Sequence, residues 1–362
     1  MKQFTNISTQ ALANLIGLKL EGRKGEILKA ESMAHFLTSQ IRLYVLLHFY
    51  ANSNDGLIEN LPLKTLTMQT GRNIKTIRNS LSMLYNNGYT SFPSYSEDGE
   101  VTLNILNITD MYKRRGEGGQ GYITCNTDIL QHILETKDIN SLRVILVGLI
   151  KTVVEDLNKS AKSVTRLKIT LKEFKKSFPK SARPKDIKKA SAASNSFGSM
   201  FDRIEPDQPR SITVRLKEAL NGKLIKKQIR IDAKNQLQQE IQSLNNTILE
   251  TNLSISENGY IGAKNIREML NHNIDLFDLV SVQDQTNPIP VLELPSDVRN
   301  DCTVLAQDYG IDSVIDAIHI FYKDYLVPGN FATKKNKSLG GLIRSIIEEL
   351  FSESNNDQPS LA

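Results

Sequence analysis

The chain has 362 residues, of which 40% are hydrophobic and 23% charged, and at roughly 100–200 residues per domain this length predicts two or three domains. No apolar run approaches the ~20 residues that a membrane span needs, and Cys125 and Cys302 stand in no zinc or redox spacing. These features disfavour membrane, disulfide-rich secreted and cysteine-metal proteins. We expect a cytoplasmic, nucleoid-associated bacterial protein that needs no cofactor.

The formal net charge of +5 conceals a strong asymmetry along the chain. Residues 160–230 hold 19 Lys and Arg against 6 Asp and Glu, a balance of +13, so the other residues hold 26 against 34, a balance of −8. Apolar periodicity runs through the same segment, which indicates a folded basic face rather than a disordered tail. Such a face predicts a polyanionic partner, with a merely solvated charged surface as the alternative.

Motifs for catalysis are missing from the sequence. It contains no G-x-x-x-x-G-K-[ST] phosphate loop, no G-x-S-x-G and no H-E-x-x-H, and its five histidines are scattered. We therefore predict that the protein is not an enzyme. The alternative is a nuclease with a tyrosine nucleophile, for which Tyr322 and Tyr325 are the candidates.

The N-terminal third begins with a weakly patterned segment. Residues 1–35 predict a flexible arm or a short docking helix. From Phe36, apolar residues recur at helical spacing until turn formers at 52–56 end the helix. Leu63–Gln69 then predicts a short helix, and Gly71 permits a sharp turn after it.

A second helix and a hairpin follow this turn. Asn73 is predicted to cap the helix, and Asn86-Asn87-Gly88 to end it. Its inward residues at 3–4 spacing are Ile74, Ile77, Leu81, Leu84 and Tyr85. Two β-rich runs, Tyr89–Tyr95 and Val101–Ile108, are joined by turn formers, which indicates a hairpin. This order of elements predicts a winged helix-turn-helix over residues 36–110.

The opposite face of the second helix is polar. Arginine and asparagine make bidentate contacts with guanine and adenine edges, whereas lysine and threonine bind phosphates. We predict that this face enters a major groove, unless the unit makes only protein contacts. Its predicted DNA-binding residues are Arg72, Asn73, Lys75, Thr76, Arg78 and Asn79.

A second unit is predicted after a connector at 111–137. Asp138–Asn158 predicts one long, widely apolar helix that is central to its domain. Val164–Thr170 predicts a strand and Leu171–Phe178 a short helix. Another helix is expected from Pro184 through Phe201, because proline suits the first position of a helix.

A basic hairpin is expected to complete this unit. The β-rich runs Ser211–Leu216 and Leu224–Ile231 surround Asn221-Gly222, a favoured tight-turn pair. The order of elements repeats that of the first unit and predicts a second winged helix over residues 138–232. Basic hairpins can lie along a phosphate backbone or enter a minor groove. The residues predicted to grip DNA here are Lys185, Lys188, Lys189, Arg215, Lys223, Lys226, Lys227 and Arg230.

The rest of the chain is predicted to be helical. Residues 233–257 carry an a/d seam of about two heptads, which predicts a linker helix that packs within the chain, with pairing of two subunits in a homodimer as the alternative. Residues 258–351 predict a C-terminal helical domain that includes a helix over Ile261–Val280. Residues 352–362 predict a disordered tail.

These elements predict an α+β fold, mainly α, with two winged-helix-like domains and a C-terminal all-helical domain. Two winged helices in tandem, the second strongly basic, resemble replication initiators of plasmids and of some phages. That resemblance implies that both units dock on repeated sites in double-stranded DNA at an origin. A winged-helix transcriptional regulator that uses the same DNA-binding parts is the alternative.

The C-terminal block resembles the small helical domain that ends some Gram-positive initiators and primosome proteins of the DnaD type. The resembling stretches are Asp308-Tyr309-Gly310-Ile311, Ala317-Ile318 and Lys337-Ser338-Leu339-Gly340-Gly341-Leu342-Ile343-Arg344. That family usually has an aromatic residue at a tryptophan-like position in this terminal helix. The chain departs from the family here, because Phe351 is the only aromatic residue after Ile347. The resemblance implies recruitment of a host helicase loader or primosome protein through residues 296–351.

Overall fold

The helices and strands of the protein lie in two compact units, Met1–Ile225 and Lys226–Ala362, called unit 1 and unit 2 below. The structure is a computed structural model that describes residues 1–22, 25–30, 36–53, 55–106, 108–114, 117, 119–158, 166–192, 196–205, 210–258, 290–327 and 338–356. The helix predicted over Ile261–Val280 and the end of the predicted tail lie outside these residues. Within them, no helix is long and apolar enough to cross a membrane.

The first half of unit 1 contains six strands and four helices among its described residues. They are β1 (Phe4–Ser8), α1 (Thr9–Leu15), β2 (Leu18–Glu21), β3 (Glu26–Lys29), α2 (Thr38–His48), β4 (Leu57–Pro62), α3 (Leu63–Thr70), α4 (Ile74–Asn86), β5 (Ser94–Tyr95) and β6 (Glu100–Asn104). β6 is the central strand of an antiparallel sheet with β4 and β5, and Ile58 lies opposite Leu103. A 3-10 turn over Ile108–Tyr112 follows.

The second half of unit 1 has the same kind of sheet. Its elements are β7 (Tyr122–Asn126), α5 (Thr127–Glu135), α6 (Ile139–Asn158), β8 (Leu167–Thr170), α7 (Leu171–Lys176), α8 (Pro184–Ala190), α9 (Ser196–Met200), β9 (Phe201–Arg203) and β10 (Ser211–Leu216). β10 is central, with Val214 opposite Leu167 of β8 on one side and Arg203 of β9 on the other. All strand pairs of the described residues are antiparallel, and helices predominate among the elements. The predicted α+β class, mainly α, is therefore confirmed.

The two halves share one order of elements, apart from the β2–β3 hairpin in the first and the short α9 in the second. Each half opens on a strand and a capped helix, and the two opening strands, β1 and β7, pair with each other. Ser8 Oγ accepts a hydrogen bond from the backbone N–H of Ala11 at 3.3 Å, and Asn126 Oδ1 accepts one from Ile129 at 3.0 Å. Because an N-cap stabilises a helix start, both α1 and α5 begin where their strand ends.

One hydrophobic core runs through both halves of unit 1. The long helix α6 packs against elements of each half, α1 and α9 among them, and its apolar side chains from Leu142 to Val154 are buried. At Gly148 in α6, an added Cβ would come within 2.6 Å of the Phe201 ring, so the aromatic ring packs directly on the helix backbone. The prediction that this helix is central to its domain is confirmed.

The N-terminal segment is not a flexible arm in its described residues. The described residues before Phe36 include β1, α1, β2 and β3, and the side chains of Ile7, Leu12 and Leu18 are almost completely buried. β1 is held by β7, and β2 by β3, through antiparallel hydrogen bonds. The predicted alternative of a short docking helix is confirmed by α1, which packs against α6. The strands were not predicted, because strands this short carry little periodicity of their own. The predicted connector likewise contains β7 and α5.

The hairpin predicted around Asn221-Gly222 is also wrong. Ser211–Leu216 is a strand, but Leu224–Ile231 lies inside a helix, α10 (Gly222–Asn258). The hairpin partner of β10 is β9, which precedes it in the chain. With β8 on its other side, β10 is the central strand of this sheet and not the edge strand that the predicted hairpin requires.

Two other predicted elements are shorter in the structure. The helix expected from Pro184 through Phe201 ends at Ala190 in α8, and Phe201 begins β9. The run Tyr89–Tyr95 contributes only the two-residue strand β5. Pro93 directly precedes that strand and has no N–H to donate to a ladder.

Unit 2 contains most of α10 and three further helices among its described residues. They are α11 (Ser296–Tyr309), α12 (Ile311–Phe321), which continues as a π-helical turn over Tyr322–Leu326, and α13 (Leu339–Asn356). Leu237, Leu244 and Ile248 of the α10 seam are buried in one hydrophobic cluster with residues of α11, α12 and α13. The predicted packing of this seam within the chain is confirmed. α13 extends to Asn356, so the start of the predicted tail is helical.

Candidate nucleic-acid interface

Helix α4 begins after a tight turn in which Gly71 ends α3 and Asn73 caps α4. Gly71 adopts φ 63°, a left-handed conformation that glycine accepts without strain, and ends α3. Asn73 Oδ1 then accepts a hydrogen bond from the backbone N–H of Thr76 at 2.8 Å. The predicted turn and N-cap are therefore confirmed. The cap also occupies the side-chain oxygen of Asn73, so this residue positions the helix and is a poor candidate for base contacts.

Fewer residues of α4 point inward than the spacing of its apolar residues predicted. Ile77, Leu81 and Leu84 are buried, as expected. Ile74 and Tyr85 were also predicted to point inward, but they are 47% and 42% exposed. Both lie near the ends of the helix, and Tyr85 is only partly covered there, by the ring of Phe92.

The outward face of α4 carries the predicted cationic residues. Lys75, Arg78 and Asn79 are exposed and lie at positions i, i+3 and i+4, which place them on one side of the helix. Arg72 is exposed one turn earlier, and Thr76 is half-buried. The structure thus brings four predicted residues together on a solvent-exposed surface, with Thr76 at its edge.

Arg78 is held against the hairpin that follows α4. Its guanidinium carbon lies 5.0 Å from the ring centroid of Tyr95 in β5. A cation–π contact of this kind is worth about 0.5–1 kcal/mol at an exposed site. The contact orients the planar guanidinium while its N–H groups stay available to a ligand.

Two exposed aromatic residues at α4 and after it were not predicted from the sequence to lie at the surface. Phe92 is 69% exposed and meets Tyr85 edge-to-face, with ring centroids 5.4 Å apart. Tyr85 fitted the inward spacing of the helix, and Phe92 fitted a strand, so neither was assigned to the surface. The signal that could have found them is their place in the sequence, with Tyr95, shortly after the basic residues of α4, because aromatic rings interleaved with cations favour nucleic-acid contacts.

Helix α8 presents the predicted lysines of the second half. Lys185, Lys188 and Lys189 are exposed, whereas Ile187 and Ala190 are buried. The lysines have the i, i+3, i+4 spacing of Lys75, Arg78 and Asn79 in α4. In each helix the three residues have the same positions relative to a buried isoleucine, Ile77 or Ile187. At these positions α8 presents three ammonium groups, whereas α4 presents an ammonium, a guanidinium and an amide.

Arg215 is less available than the sequence predicted. Its guanidinium lies 3.8 Å from a carboxylate oxygen of Asp202, its pairing partner across the β9–β10 ladder, and 3.9 Å from one of Glu218. Two carboxylates thus offset its charge. A phosphate would have to compete with both, so Arg215 contributes less to anion binding than the lysines of α8.

The four cationic residues predicted for the hairpin lie on helix α10 instead. Lys223, Lys227 and Arg230 are exposed. Lys226 is half-buried, with its Nζ 3.4 Å from Asp308 Oδ1, and its backbone oxygen accepts a hydrogen bond from Gln307 Nε2 at 2.9 Å. Lys226 therefore joins α10 to α11 within unit 2 and lies on a helix, not on the hairpin that the sequence predicted. Its contact with DNA stays a prediction.

The two tyrosines considered as nucleophiles pack in unit 2. The Tyr322 side chain is buried, its hydroxyl donates to the backbone oxygen of Pro290 at 2.9 Å, and burial raises its pKa. Tyr325 stacks on Phe321. No group of three His, Cys, Asp or Glu side chains in the described parts of the chain is placed to hold a metal ion. Burial makes the Tyr322 hydroxyl harder to deprotonate, which disfavours it as a nucleophile.

No protein-family model matches the chain, and none of the curated proteins matches it.

Proposed function

We propose that the protein binds double-stranded DNA through two winged helices in tandem and initiates replication of a plasmid or phage genome. The observation that carries the proposal is the matched presentation of α4 and α8. Each follows a short helix and exposes three polar or cationic residues at i, i+3 and i+4. A strand pair comes next in each half, directly after α4 and, in the second half, after the short helix α9. This is the arrangement in which a helix-turn-helix places its second helix in a major groove.

The two helices are suited to different parts of the duplex. Arg78 and Asn79 of α4 can make bidentate contacts with guanine and adenine edges, and each good pair is worth about 1–3 kcal/mol of discrimination. Lys185, Lys188 and Lys189 of α8 are compact charges suited to phosphates. The first half therefore selects the sequence, and the second half supplies affinity that depends on salt.

The hairpin after α4 extends the contact surface. Tyr95 orients Arg78, and the exposed Phe92 lies beside Tyr85 at the end of the helix. Apolar side chains of this kind can wedge between base steps in a minor groove and bend the duplex. Local deformation of DNA without covalent chemistry is the mechanism that this surface favours.

The role in initiation is supported by the resemblance of the tandem units to plasmid and phage initiators. Helices α11 and α13 contain most of the residues that resemble the DnaD-type domain. In this proposal they recruit a host helicase loader or primosome protein to the origin. The DNA-binding part of the proposal does not depend on that recruitment.

The experiment that tests the proposal is selection of genomic DNA by the purified full chain, followed by footprinting of the best fragment. A cluster of evenly spaced repeats beside an AT-rich stretch, in phase at about 10–10.5 bp per turn, is the expected result. A single palindrome at a promoter would instead identify a transcriptional regulator. Absence of any enrichment would overturn the assignment to DNA.

A further inference from the structure

Helix α10 carries a stripe of exposed basic residues outside the two winged-helix-like halves of unit 1. Lys227, Arg230 and Lys234 are exposed and lie at positions i, i+3 and i+7, which places them within about 60° of one another around the helix. All three belong to unit 2. The sequence predicted Lys227 and Arg230 on a hairpin and did not predict Lys234 as a DNA contact. Only the helix joins them into one surface, called the basic stripe below.

Carboxylates do not offset the charges of the basic stripe. None of its three side chains makes an ion pair or hydrogen bond with a residue that the structure describes. Asp232 lies on the opposite side of α10, and its Oδ1 accepts a hydrogen bond from Gln228 Nε2 at 2.9 Å. The next carboxylate along the helix is that of Glu240, whose Oε1 lies 3.1 Å from His319 Nε2. The three positive charges are therefore available to an anionic partner.

The basic stripe stands out in a part of the chain that is otherwise acidic. Residues 226–234 hold 4 Lys and Arg against 1 Asp, whereas residues 235–362 hold 8 Lys and Arg against 18 Asp and Glu, a balance of −10. Like charges one turn apart, such as Arg230 and Lys234, weaken a helix. The stability of α10 therefore does not explain the stripe, whereas binding of a polyanion does.

The dimensions of the basic stripe fit the phosphate backbone of DNA. A helix rises about 1.5 Å per residue, so Lys227 and Lys234 are about 10 Å apart along its axis. The phosphates of one strand recur about every 3.4 Å along a duplex, so this length covers about three of them. Lysine and arginine side chains donate hydrogen bonds but accept none, which suits phosphate oxygens. Gln238 is exposed on the same side of α10 and adds an amide donor.

We infer that the basic stripe binds the phosphate backbone of one DNA strand without sequence preference, as a contact of unit 2 additional to those of unit 1. The inference rests on the proposed function, because the duplex is the one that the winged helices bind. The stripe adds affinity that depends on salt and leaves the choice of site to α4.

Salt titrations of the full chain on the footprinted site and on a random duplex test the basic stripe. The triple variant combines Lys227→Gln, Arg230→Gln and Lys234→Gln, which removes three charges and keeps good helix formers. Its slope of log K against log salt concentration should be lower by about 2–3 on both duplexes, because each phosphate contact contributes about 0.9. The ratio of the two affinities should equal that of the wild type. A wild-type slope in the triple variant would overturn the inference.

A charge-conserving variant is the matched control. It combines Lys227→Arg, Arg230→Lys and Lys234→Arg and should bind with the wild-type slope. If its slope falls as far as that of the triple variant, the stripe does not act through its charge and the inference is wrong. Lys234→Gln alone covers the case in which the triple variant does not fold, and should lower the slope by about 1.

The outcomes also separate this inference from the proposed function. If the wild type prefers the footprinted site and the triple variant keeps the wild-type slope, only the inference fails. A wild-type slope together with an altered molecular mass in solution would assign the stripe to a contact between copies of the chain and would likewise overturn it. If the wild type binds neither duplex, the proposed function fails and the inference fails with it.

Discussion

Arg78 and Lys188 occupy equivalent positions in the two halves of unit 1, because each directly follows the buried isoleucine, Ile77 or Ile187, that anchors its helix. The two side chains differ in chemistry. A guanidinium is a planar fork that recognises a base edge, whereas an ammonium is a point charge that suits a phosphate. Substitutions at the two positions should therefore affect DNA binding differently, one through sequence preference and the other through salt dependence.

Arg78→Ala should reduce sequence preference more than total affinity. Loss of one bidentate contact is expected to cost about 1–3 kcal/mol at a single base position. The measurement is a binding titration against the footprinted site and its single-base variants. Arg78→Lys is the matched control, because it keeps the charge but removes the fork. If Arg78→Ala weakens specific and random DNA equally, Arg78 does not read a base.

Lys188→Ala should weaken binding to all DNA sequences by a similar factor. Removal of one phosphate contact is expected to lower the slope of log K against log salt concentration by about 1. Titrations at several salt concentrations on specific and random duplexes measure that slope. A slope equal to that of the wild type would remove Lys188 from the interface.

Lys226→Ala should leave the salt dependence of DNA binding unchanged, because Lys226 pairs with Asp308 within unit 2. Its effect should appear in stability, as a loss of at most about 1 kcal/mol in the free energy of unfolding, which is typical of a partly exposed ion pair. Lys227→Ala is the control for an exposed neighbour, and Asp308→Ala should destabilise the protein similarly. A reduced salt slope in Lys226→Ala alone would return this lysine to the DNA contacts.

Asn73→Ala should destabilise α4 through the loss of its N-cap. The expected cost is about 1 kcal/mol in the free energy of unfolding, measured by urea denaturation. Asn73→Asp keeps an acceptor for the N–H of Thr76 and should retain most of the stability. Equal stability of Asn73→Ala and the wild type would show that the cap does not contribute.

His48 should make stability depend on pH. Its pKa falls from 6.5 to about 3 on folding, so the unfolded chain takes up a proton that the folded chain excludes. The contribution is complete above about pH 6.5 and falls as the pH drops toward about 3, by up to about 1.4 kcal/mol per pH unit. Urea denaturation between about pH 7 and about pH 4 should show a steeper loss in the wild type than in His48→Phe. Parallel curves would contradict the burial of a neutral imidazole.

Part of the candidate interface could be predicted because its causes are local. A left-handed glycine at Gly71, the cap at Asn73 and the apolar residues Ile77 and Leu81 act within a few residues of one another. The same holds for the lysines of α8, whose spacing from Ile187 places them outward. Whether a residue at the margin of a helix's apolar face is buried depends on which other element packs over it. The sequence does not show that element, which is why Tyr85 was predicted to point inward.

The sequence by itself determined the basic segment, the mainly helical class, and the turn and helix that expose Arg78. Only the tertiary structure decided that Phe4–Ser8 is a strand, because its hydrogen-bond partners lie in β7, far along the chain. It also decided that Leu224–Ile231 is helical. The run has residues suited to either state, and the outcome depends on β10, whose two edges are already occupied by β8 and β9. A strand requires a partner that its own sequence does not contain, whereas a helix satisfies its backbone groups within itself.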